Sequence, residues 1–505
     1  MTPAPVDLRS AGGIALGLLP ELVLTAWGLA LMLVVGWRNR TVEDQRRAGH
    51  IALGGLVATL VVILWFWAAD VEPSGLEWMI ALDRFRYAVG ALFVLGAMFA
   101  VLMSLGYLGR ERIVVPEYYV LLLLATVGMM FMGGGTDLIV IFLGLELMSV
   151  CVYVLAGINR RSMFAAEAAL KYFLLGAFAS GFFLYGIALV YGATASTNLS
   201  IIAAEIGRLE MGTNVMLQVG IAMLLIGFGF KVAAVPFHMW TPDVYDGAPT
   251  PVTAYMAAAV KAAGFAALMR VLIQALGDVE IVWQEVVWWL SAITMVVGNL
   301  IALAQTQLKR MLAYSSIGHA GYLLAAVASG TTVGAGALLY YVFAYTLMTV
   351  GAFSVLGAAG RNGERDVGIA DFDGLAARRP WLAFAMAVFM LSLLGFPGTA
   401  GFIGKWYILS AVIDSDQGML AVILVGASVV SAGYYLPVIM AMYMKPPASD
   451  TAHEATNVVG AVRWVIGVTA TLLLLFGIWP ARALNVAQQT GDALEAPTAI
   501  LTERP

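Results

Sequence analysis

Lysine and glutamate occupy positions in this chain at which ionised groups are costly. Lys231, Lys261 and Lys405 lie near the middle of apolar stretches long enough to cross a membrane, and Glu146 lies in a fourth. An ionised side chain at the centre of a bilayer costs roughly 2.5–3.5 kcal/mol on insertion scales. A chain that keeps several such groups is expected to use them, and the usual uses are the passage of ions or protons.

The composition places these residues in a membrane protein. Of 505 residues, 61% are hydrophobic and 11% are charged, whereas about a quarter of the residues of a soluble domain are charged. Apolar stretches of about 20 residues, each enough to span ~30 Å of hydrocarbon as a helix, recur along the whole chain. The fourteen stretches are approximately 13–36, 50–69, 86–107, 116–133, 137–158, 165–192, 216–239, 251–276, 281–303, 309–329, 333–359, 379–414, 417–444 and 458–479. We therefore predict an all-α polytopic membrane protein with about fourteen transmembrane helices.

Prolines interrupt the seventh and the twelfth predicted helix. Pro236 follows Lys231 by five residues, and the helix must break or kink there because proline lacks a backbone N–H and its ring clashes with the preceding turn. Stretch 379–414 is too long for one straight crossing and contains Pro397 among glycines, shortly before Lys405. In lipid, such backbone is tolerated only where it is buried in protein or lines a water-filled cavity. Both breaks are therefore predicted to be ion sites.

The two interruptions resemble one another and suggest an internal repeat. LIGFGFK ends at Lys231, LLGFPGT ends at Thr399, and the two lie five predicted helices apart. Paired, interrupted helices in two parts of a chain are typical of repeat-built transporters. We predict two inverted five-helix repeats, made of helices 4–8 and 9–13. The chain then divides into three N-terminal helices (1–115), a first repeat (116–276), a second repeat (277–444) and a C-terminal helix with its tail (445–505).

The basic residues predict the orientation. Sixteen of the 27 lysines and arginines fall in loops on one side, six fall on the other side, and five lie within spans. The positive-inside rule places the sixteen in the cytoplasm and both termini on the opposite side. Arg270, one of the five, lies near the outer end of its helix and is expected to be a snorkelling anchor.

The chain offers no conventional redox site. Its single cysteine, Cys151, excludes clusters of thiolate ligands for iron–sulfur or zinc, and no strand–helix alternation carries a glycine-rich phosphate loop. We expect neither a cofactor nor a metal in this chain.

Secondary candidates have two interpretations each. Lys171 lies one turn after Glu167, so the two either take part in ion passage or form a simple i,i+4 ion pair. His319 lies beside Ser315 and Ser316, and it either relays protons or only hydrogen-bonds a serine. Glu146 itself could be a neutral carboxyl that is hydrogen-bonded between helices. His238 lies at the break of the seventh helix. The nearby Asp243 and Asp246 are expected to orient the loop rather than to bind a metal.

Three motifs resemble a known family, the antiporter-like subunits of respiratory complex I. The motifs are LGLELMS around Glu146, FKVAAVPFHMWTPDVYDGAPTPVTAYMAAAVK from Phe230 to Lys261, and GFIGKWY around Lys405. The resemblance covers nearly the whole chain. Within the family, the loop DVYDGAPTPVTAY, the stretch AEAALKYFLLGAFASG and the lysine at 405 are similar to the subunit-N branch.

The resemblance implies a role for each candidate. Glu146 and Lys231 become the charged pair of a first half-channel, Lys261 the connecting residue, and Lys405 the site of a second half-channel. Lys171 matches a further family lysine, and His238 and His319 match histidines of the hydrophilic axis. The resemblance also implies a proton-pumping subunit in the bacterial inner membrane. FMN, iron–sulfur clusters and quinone would lie in partner subunits, and subunit M and small subunits such as K would be neighbours.

The charged pair has a simple physical use. Burial disfavours the ammonium form of lysine and a nearby carboxylate favours it; at 4 Å and an effective dielectric near 20, the pair is worth about 4 kcal/mol. Movement of Glu146 towards or away from Lys231 would therefore make the lysine hold or release a proton. Three alternatives stay open: a cation/proton antiporter subunit of the multi-subunit Mrp type, a purely structural membrane subunit, and a transporter of a small organic substrate.

Overall fold

Helices make up almost all of the fold. The structure, a computed structural model, describes residues 6–7, 11–37, 41–69, 73–74, 79–209, 211–359, 367–447 and 460–494. The α-helices are α1 (Ala11–Gly17), α2 (Leu19–Trp37), α3 (Val42–Ala69), α4 (Arg84–Arg110), α5 (Glu117–Gly134), α6 (Leu138–Ala156), α7 (Met163–Thr194), α8 (Leu199–Leu209), α9 (Val215–Val232), α10 (Thr241–Gly247), α11 (Thr250–Tyr255), α12 (Lys261–Gln274), α13 (Glu280–Leu303), α14 (Leu308–Ala328), α15 (Thr332–Ala359), α16 (Leu375–Arg378), α17 (Pro380–Leu394), α18 (Ala400–Asp414), α19 (Gly418–Met444), α20 (Gly460–Ile478) and α21 (Ala481–Asp492). Two strands of two residues each, β1 (Val6–Asp7) and β2 (Pro73–Ser74), pair in parallel. Short 3₁₀ turns occur at Met211–Thr213, Gly277–Val279 and Ile369–Phe372.

The predicted number of membrane crossings agrees with the structure. Thirteen segments of the described chain are long and apolar enough to span a membrane. The predicted twelfth crossing is not among them, because it consists of the two shorter helices α17 and α18. The all-α fold class is therefore confirmed, and the thirteen spans plus one broken crossing account for the fourteen predicted helices. The domain boundaries stay a prediction.

Both predicted helix breaks are present. Helix α9 ends at Val232 and is followed by Ala233 in the left-handed conformation (φ 63°), before the chain turns into α10. Helix α17 ends at Leu394 and is followed by Gly395, also left-handed (φ 87°). A left-handed residue after the last turn is a common way to end a helix. The prolines lie just beyond these ends, where no helical hydrogen bond is lost.

A third interruption was not predicted. Between α11 and α12 the helix widens into a π-helical segment, Met256–Val260, which ends directly before Lys261. Segments of this kind occur frequently at functional sites. Lys261 is therefore the first residue after the π-helical segment, where the α-helix resumes.

The centre of the bundle consists of protein, not of a lipid-facing surface. Almost all residues of Thr250–Gln274 and of Leu308–Ala328 are buried inside the protein. These two segments carry Lys261 and His319. The buried ionisable groups on them therefore face other helices.

The sequence interpretation of Arg270 is wrong. Its side chain is fully buried, and its guanidinium donates to both carboxylate oxygens of Asp83, at 2.7 and 3.0 Å, and to the Gly133 carbonyl at 3.0 Å. A bidentate carboxylate satisfies an arginine that has no access to the membrane surface. The partner lies 187 residues away in sequence, and no local pattern reveals it.

Part of the orientation argument lies outside the described residues. This applies to Arg9, Arg38, Arg40, Arg361, Arg365 and Arg504. The side of the membrane on which the termini lie stays a prediction.

Candidate proton path

Glu146 and Lys231 each bind a serine rather than one another. Glu146 is half-buried in α6 and accepts a hydrogen bond from Ser180 of α7. Lys231 is 3% exposed and donates to the Ser149 hydroxyl at 2.6 Å. Ser149 lies one turn after Glu146 on the same helix, and the Glu146 charge acts on Lys231 electrostatically. Within the described chain neither group has an oppositely charged partner within 4.0 Å, so the predicted pair is brought near without direct contact.

Aromatic rings surround the Lys231 ammonium. Its Nζ lies 5.7 Å from the centre of the Tyr153 ring, 5.9 Å from that of Tyr172 and 6.0 Å from that of Phe230. Ring faces attract cations at this range. The hydroxyls of Tyr153 and Tyr172 are buried and find no hydrogen-bond partner in the described structure.

Lys261 lies on the helix that supports the Lys231 stem. A side chain at Gly264, one turn after Lys261, would place its Cβ 3.6 Å from Lys231 Cγ, so the lysine stem packs against a bare backbone. Lys261 is 2% exposed, and its ammonium donates to the carbonyl of Ser316 at 2.7 Å and also to its hydroxyl. The two lysines are thus carried by elements in van der Waals contact.

His319 joins two tyrosines at the centre of the bundle. Its Nδ1 lies 2.6 Å from the Tyr341 hydroxyl and its Nε2 lies 3.0 Å from the Tyr435 hydroxyl. Tyr435 also shares a hydrogen bond with Ser315, the neighbour of the serine that binds Lys261. Polar groups therefore continue from Ser315 through Tyr435 to His319 and Tyr341.

Lys405 uses a carbonyl that the second helix break sets free. Its Nζ donates to the Leu394 carbonyl and to the Ser428 hydroxyl, both at 2.9 Å, and lies 4.7 Å from the centre of the Tyr322 ring. Gly395 allows this approach because a Cβ there would lie 3.0 Å from Lys405 Cδ, and its positive φ disfavours any side chain. Lys405 is 6% exposed.

Lys171 lies apart from these groups. Its side chain is 41% exposed, and its ammonium lies 2.7 Å from both Glu167 and Asp243. Asp243 also accepts from Arg310 at 3.0 Å, so it ties α7 and α14 to α10. Burial raises the pKa of Asp243, but Lys171 and Arg310 more than offset this and hold it below its usual value. The i,i+4 ion pair between Glu167 and Lys171 is formed, as one of the two interpretations of the sequence predicts.

His238 is also separate. It is half-buried in the turn between α9 and α10, and no hydrogen bond or ion pair links it to a lysine within the described residues. The structure thus gathers Glu146, Lys231, Lys261, His319 and Lys405 along the bundle interior and leaves the other two candidates at its edge.

Sequence reasoning missed most of the partners of the ionisable groups. The missed partners are uncharged residues of largely apolar helices, where serine and tyrosine are common for packing reasons alone: Ser149, Ser180, Ser428, Tyr341 and Tyr435. Ser149 is the exception that a pattern could have shown, because it lies three residues from Glu146 and so on the same helix face.

Comparison with known proteins shows the family. Residues 135–431 match the transmembrane family described as NADH:quinone oxidoreductase/Mrp antiporter. The chain is 45% identical to NADH-quinone oxidoreductase subunit N of Gemmatimonas aurantiaca, over 96% of this chain and 94% of that protein.

Solved structures agree. A chain of respiratory complex I from Thermus thermophilus with bound aureothin has a TM-score of 0.78 and 36% identity, and the match covers 93% of this chain and 99% of that chain. A chain of the Mrp complex from Dietzia sp. has a TM-score of 0.80 at 22% identity, covering 96% and 98%, which shows a shared fold alone. The chain thus belongs to the NADH:quinone oxidoreductase/Mrp antiporter family of transmembrane proteins, in the subunit-N branch of the NADH-quinone oxidoreductases.

Proposed function

We propose that the row formed by the half-buried Glu146 and the buried Lys231, Lys261, His319 and Lys405 is the proton path of this chain. Membership of the subunit-N branch makes the chain an antiporter-like, proton-translocating membrane subunit of an NADH-quinone oxidoreductase. Within that assembly, the driving reaction is quinone reduction in other subunits. FMN, iron–sulfur clusters and quinone reside in those partners, and this chain supplies the ion path.

The observation that carries the proposal is the kind of partner that each buried lysine has. Lys231, Lys261 and Lys405 are each at most 6% exposed, and each ammonium binds a serine hydroxyl. Burial disfavours the charged form of a lysine. A hydroxyl can donate as well as accept, so it can satisfy the lysine nitrogen before and after the proton leaves.

We propose that transfer from Lys261 towards Lys405 follows hydroxyl groups as far as His319 and Tyr341. A proton that leaves Lys261 reaches Ser316, and the neighbouring Ser315 leads to Tyr435 and His319. Imidazole accepts a proton at one nitrogen and gives one up at the other, so His319 passes the charge without moving far. The relay interpretation of His319 is thus favoured over a single serine hydrogen bond, because both ring nitrogens have hydroxyl partners.

Water completes the path. The hydroxyls of Tyr153 and Tyr172 near Lys231, and those of Thr346 and Ser354 on α15, are buried without a partner in the described structure. A buried polar group without a protein partner is typically satisfied by an ordered water molecule. We propose that ordered water binds at these four positions.

Glu146 is the proposed control of the first step. Its present partner is Ser180, and a rotation towards Ser149 would bring the carboxylate closer to Lys231. An opposite charge at short range favours the ammonium form. The lysine therefore loads when the carboxylate approaches and unloads when it returns to Ser180.

The setting of the chain follows from the family. We place it in the bacterial inner membrane with both termini on the periplasmic side, next to subunit M and small subunits such as K. Lys171 and His238 are assigned to the entrance of the path, because both lie beside the turn that follows Lys231.

The test compares buried and exposed lysines in the whole complex. Lys231→Ala and Glu146→Ala are each introduced, and proton uptake by inverted membrane vesicles is measured per NADH oxidised. Lys445→Ala is the matched control, because Lys445 is 55% exposed and its ion pair with Asp373 spans 3.4 Å. We expect both buried-site variants to lose proton pumping and the control to keep it. Wild-type pumping in both would refute the path.

A further inference from the structure

The turn after Lys231 is fastened to α7 at two neighbouring positions. Lys171 of α7 pairs with Asp243 of α10 at 2.7 Å. The next residue, Tyr172, stacks on Trp240 with ring centres 4.3 Å apart and planes at 9°. A partly exposed ion pair and a buried ring stack beside it therefore both hold α7 against the turn that leads into α10.

Trp240 reaches back to the helix end that carries Lys231. Its indole Nε1 donates to the Phe230 carbonyl at 3.0 Å, and its ring centre lies 5.4 Å from that of Phe230. The Phe230 carbonyl belongs to the last turn of α9, directly before the lysine, and it also accepts from the Ala233 N–H at 3.2 Å. The indole thus caps the broken helix at the residue that precedes Lys231.

The same indole contacts two of the three rings around the ammonium. Tyr172 and Phe230 both lie about 6 Å from Lys231 Nζ, at 5.9 and 6.0 Å, and both pack on Trp240, which is 2% exposed. Cation–ring attraction depends on the ring face being turned to the cation. A residue that fixes both rings therefore fixes the surroundings of the ammonium.

We propose that Trp240 is a positioning residue for Lys231. It holds the last turn of α9 and the faces of Tyr172 and Phe230 in place, so that the ammonium stays where the movement of Glu146 between Ser180 and Ser149 can load and unload it. This inference rests on the proposed function, because it assigns Trp240 to the loading of the first lysine. Trp240 does not carry a proton itself, since indole is a donor only.

A double-mutant cycle in the intact complex tests the inference. Trp240→Phe removes the N–H and keeps an aromatic ring, and it is combined with Lys231→Ala. We expect Trp240→Phe alone to lower proton pumping per assembled complex by about 2- to 10-fold, the size of one lost hydrogen bond. Because Lys231→Ala itself abolishes pumping, the cycle is measured as the melting temperature of the assembled complex. Trp240→Phe should lower it less in the Lys231→Ala background than in the wild type, because residues that act through one another are not additive.

Trp289→Phe is the matched control. It makes the same exchange at a tryptophan that is 55% exposed and whose ring contacts Trp288, outside the proposed path, so pumping should stay at the wild-type level. If Trp240→Phe fails to assemble, the cycle is run with Tyr172→Leu, which removes the other half of the stack.

The outcomes separate the two proposals. A smaller drop in melting temperature on Trp240→Phe in the Lys231→Ala background than in the wild type supports the positioning role. Additive drops in melting temperature overturn it while leaving the proton path intact, and so does wild-type pumping by Trp240→Phe. Wild-type pumping by Lys231→Ala overturns both.

Discussion

Two kinds of buried cation occur in this protein, and their partners differ. Arg86 lies 2.7 Å from Glu21, with side chains 4% and 3% exposed, and Arg270 binds Asp83 through both carboxylate oxygens. The buried Lys231, Lys261 and Lys405 bind serine hydroxyls and backbone carbonyls instead.

The difference separates structure from transport. Arginine stays charged in proteins and forms planar, bidentate pairs, so a buried arginine with a carboxylate fixes the helices that it joins. Lysine loses its proton readily when buried, and a hydroxyl partner does not prevent this loss. A purely structural role, one of the alternatives open at the sequence level, fits the arginines well and the lysines poorly.

The largest expected effect comes from breaking an arginine pair. Arg86→Ala leaves the Glu21 carboxylate buried without its guanidinium, and removal of one partner of such a pair costs about 3–5 kcal/mol. We expect little assembled complex in the membrane, measured by native gel and thermal melting. Arg208→Ala is the control, because that arginine is 64% exposed and pairs with Glu205 on its own helix. Normal assembly of Arg86→Ala would remove the structural half of the comparison.

An intermediate effect is expected in the relay. Tyr435→Phe removes the hydroxyl that joins Ser315 to His319, and pumping should fall by about 2- to 10-fold with normal assembly. Tyr434→Phe is the matched control, since its hydroxyl binds Asn299 at 2.8 Å and does not contact His319. Equal losses in both variants would show that the hydroxyl contact with His319 is not what pumping depends on.

The smallest effect concerns the ion cluster at the edge. The pKa of Asp243 lies below its usual value despite burial, because Lys171 and Arg310 favour the carboxylate. Its contribution to stability is therefore present above about pH 4, the ordinary value for aspartate, and is lost as the pH falls through the lower pKa of the folded state. The group is partly exposed, so this contribution is about 1 kcal/mol or less.

Thermal melting between pH 7 and pH 3 measures this contribution. We expect Asp243→Asn to be slightly less stable than the wild type at pH 7, with the difference shrinking towards pH 3. A constant difference over this range would show that the loss is due to packing and not to charge.

The helices and the position of the ionisable groups deep within them could be predicted from the sequence alone. A proline break is a local property, so the ends of α9 and α17 followed from Pro236 and Pro397. The contacts across the bundle were not readable. The Asp83 partner of Arg270 lies 187 residues away, and the Ser428 partner of Lys405 is one of two serines on the next helix. The π-helical segment before Lys261 consists of ordinary helix-forming residues, so its sequence does not distinguish it from an α-helix.

The charged pair was the least accurate part of the site. The family resemblance makes Glu146 and Lys231 a charged pair, for which direct contact is expected. In the structure, each of the two binds a serine. Side-chain rotamers of groups one helix turn apart are set by packing that no pattern encodes. The distinction matters, because two separate partners are what a switch between holding and releasing a proton requires.

The exchange of lysine for arginine at position 261 tests the central claim most directly. Lys261→Arg keeps a buried positive charge and the ability to donate to Ser316, but arginine does not release its proton. Proton uptake per NADH oxidised is measured in vesicles with equal amounts of assembled complex. We predict normal assembly with pumping reduced about tenfold or more, since a positioned proton-transfer group contributes on the order of 100-fold in rate. Wild-type pumping by Lys261→Arg would contradict the account, because the charge alone would then be sufficient.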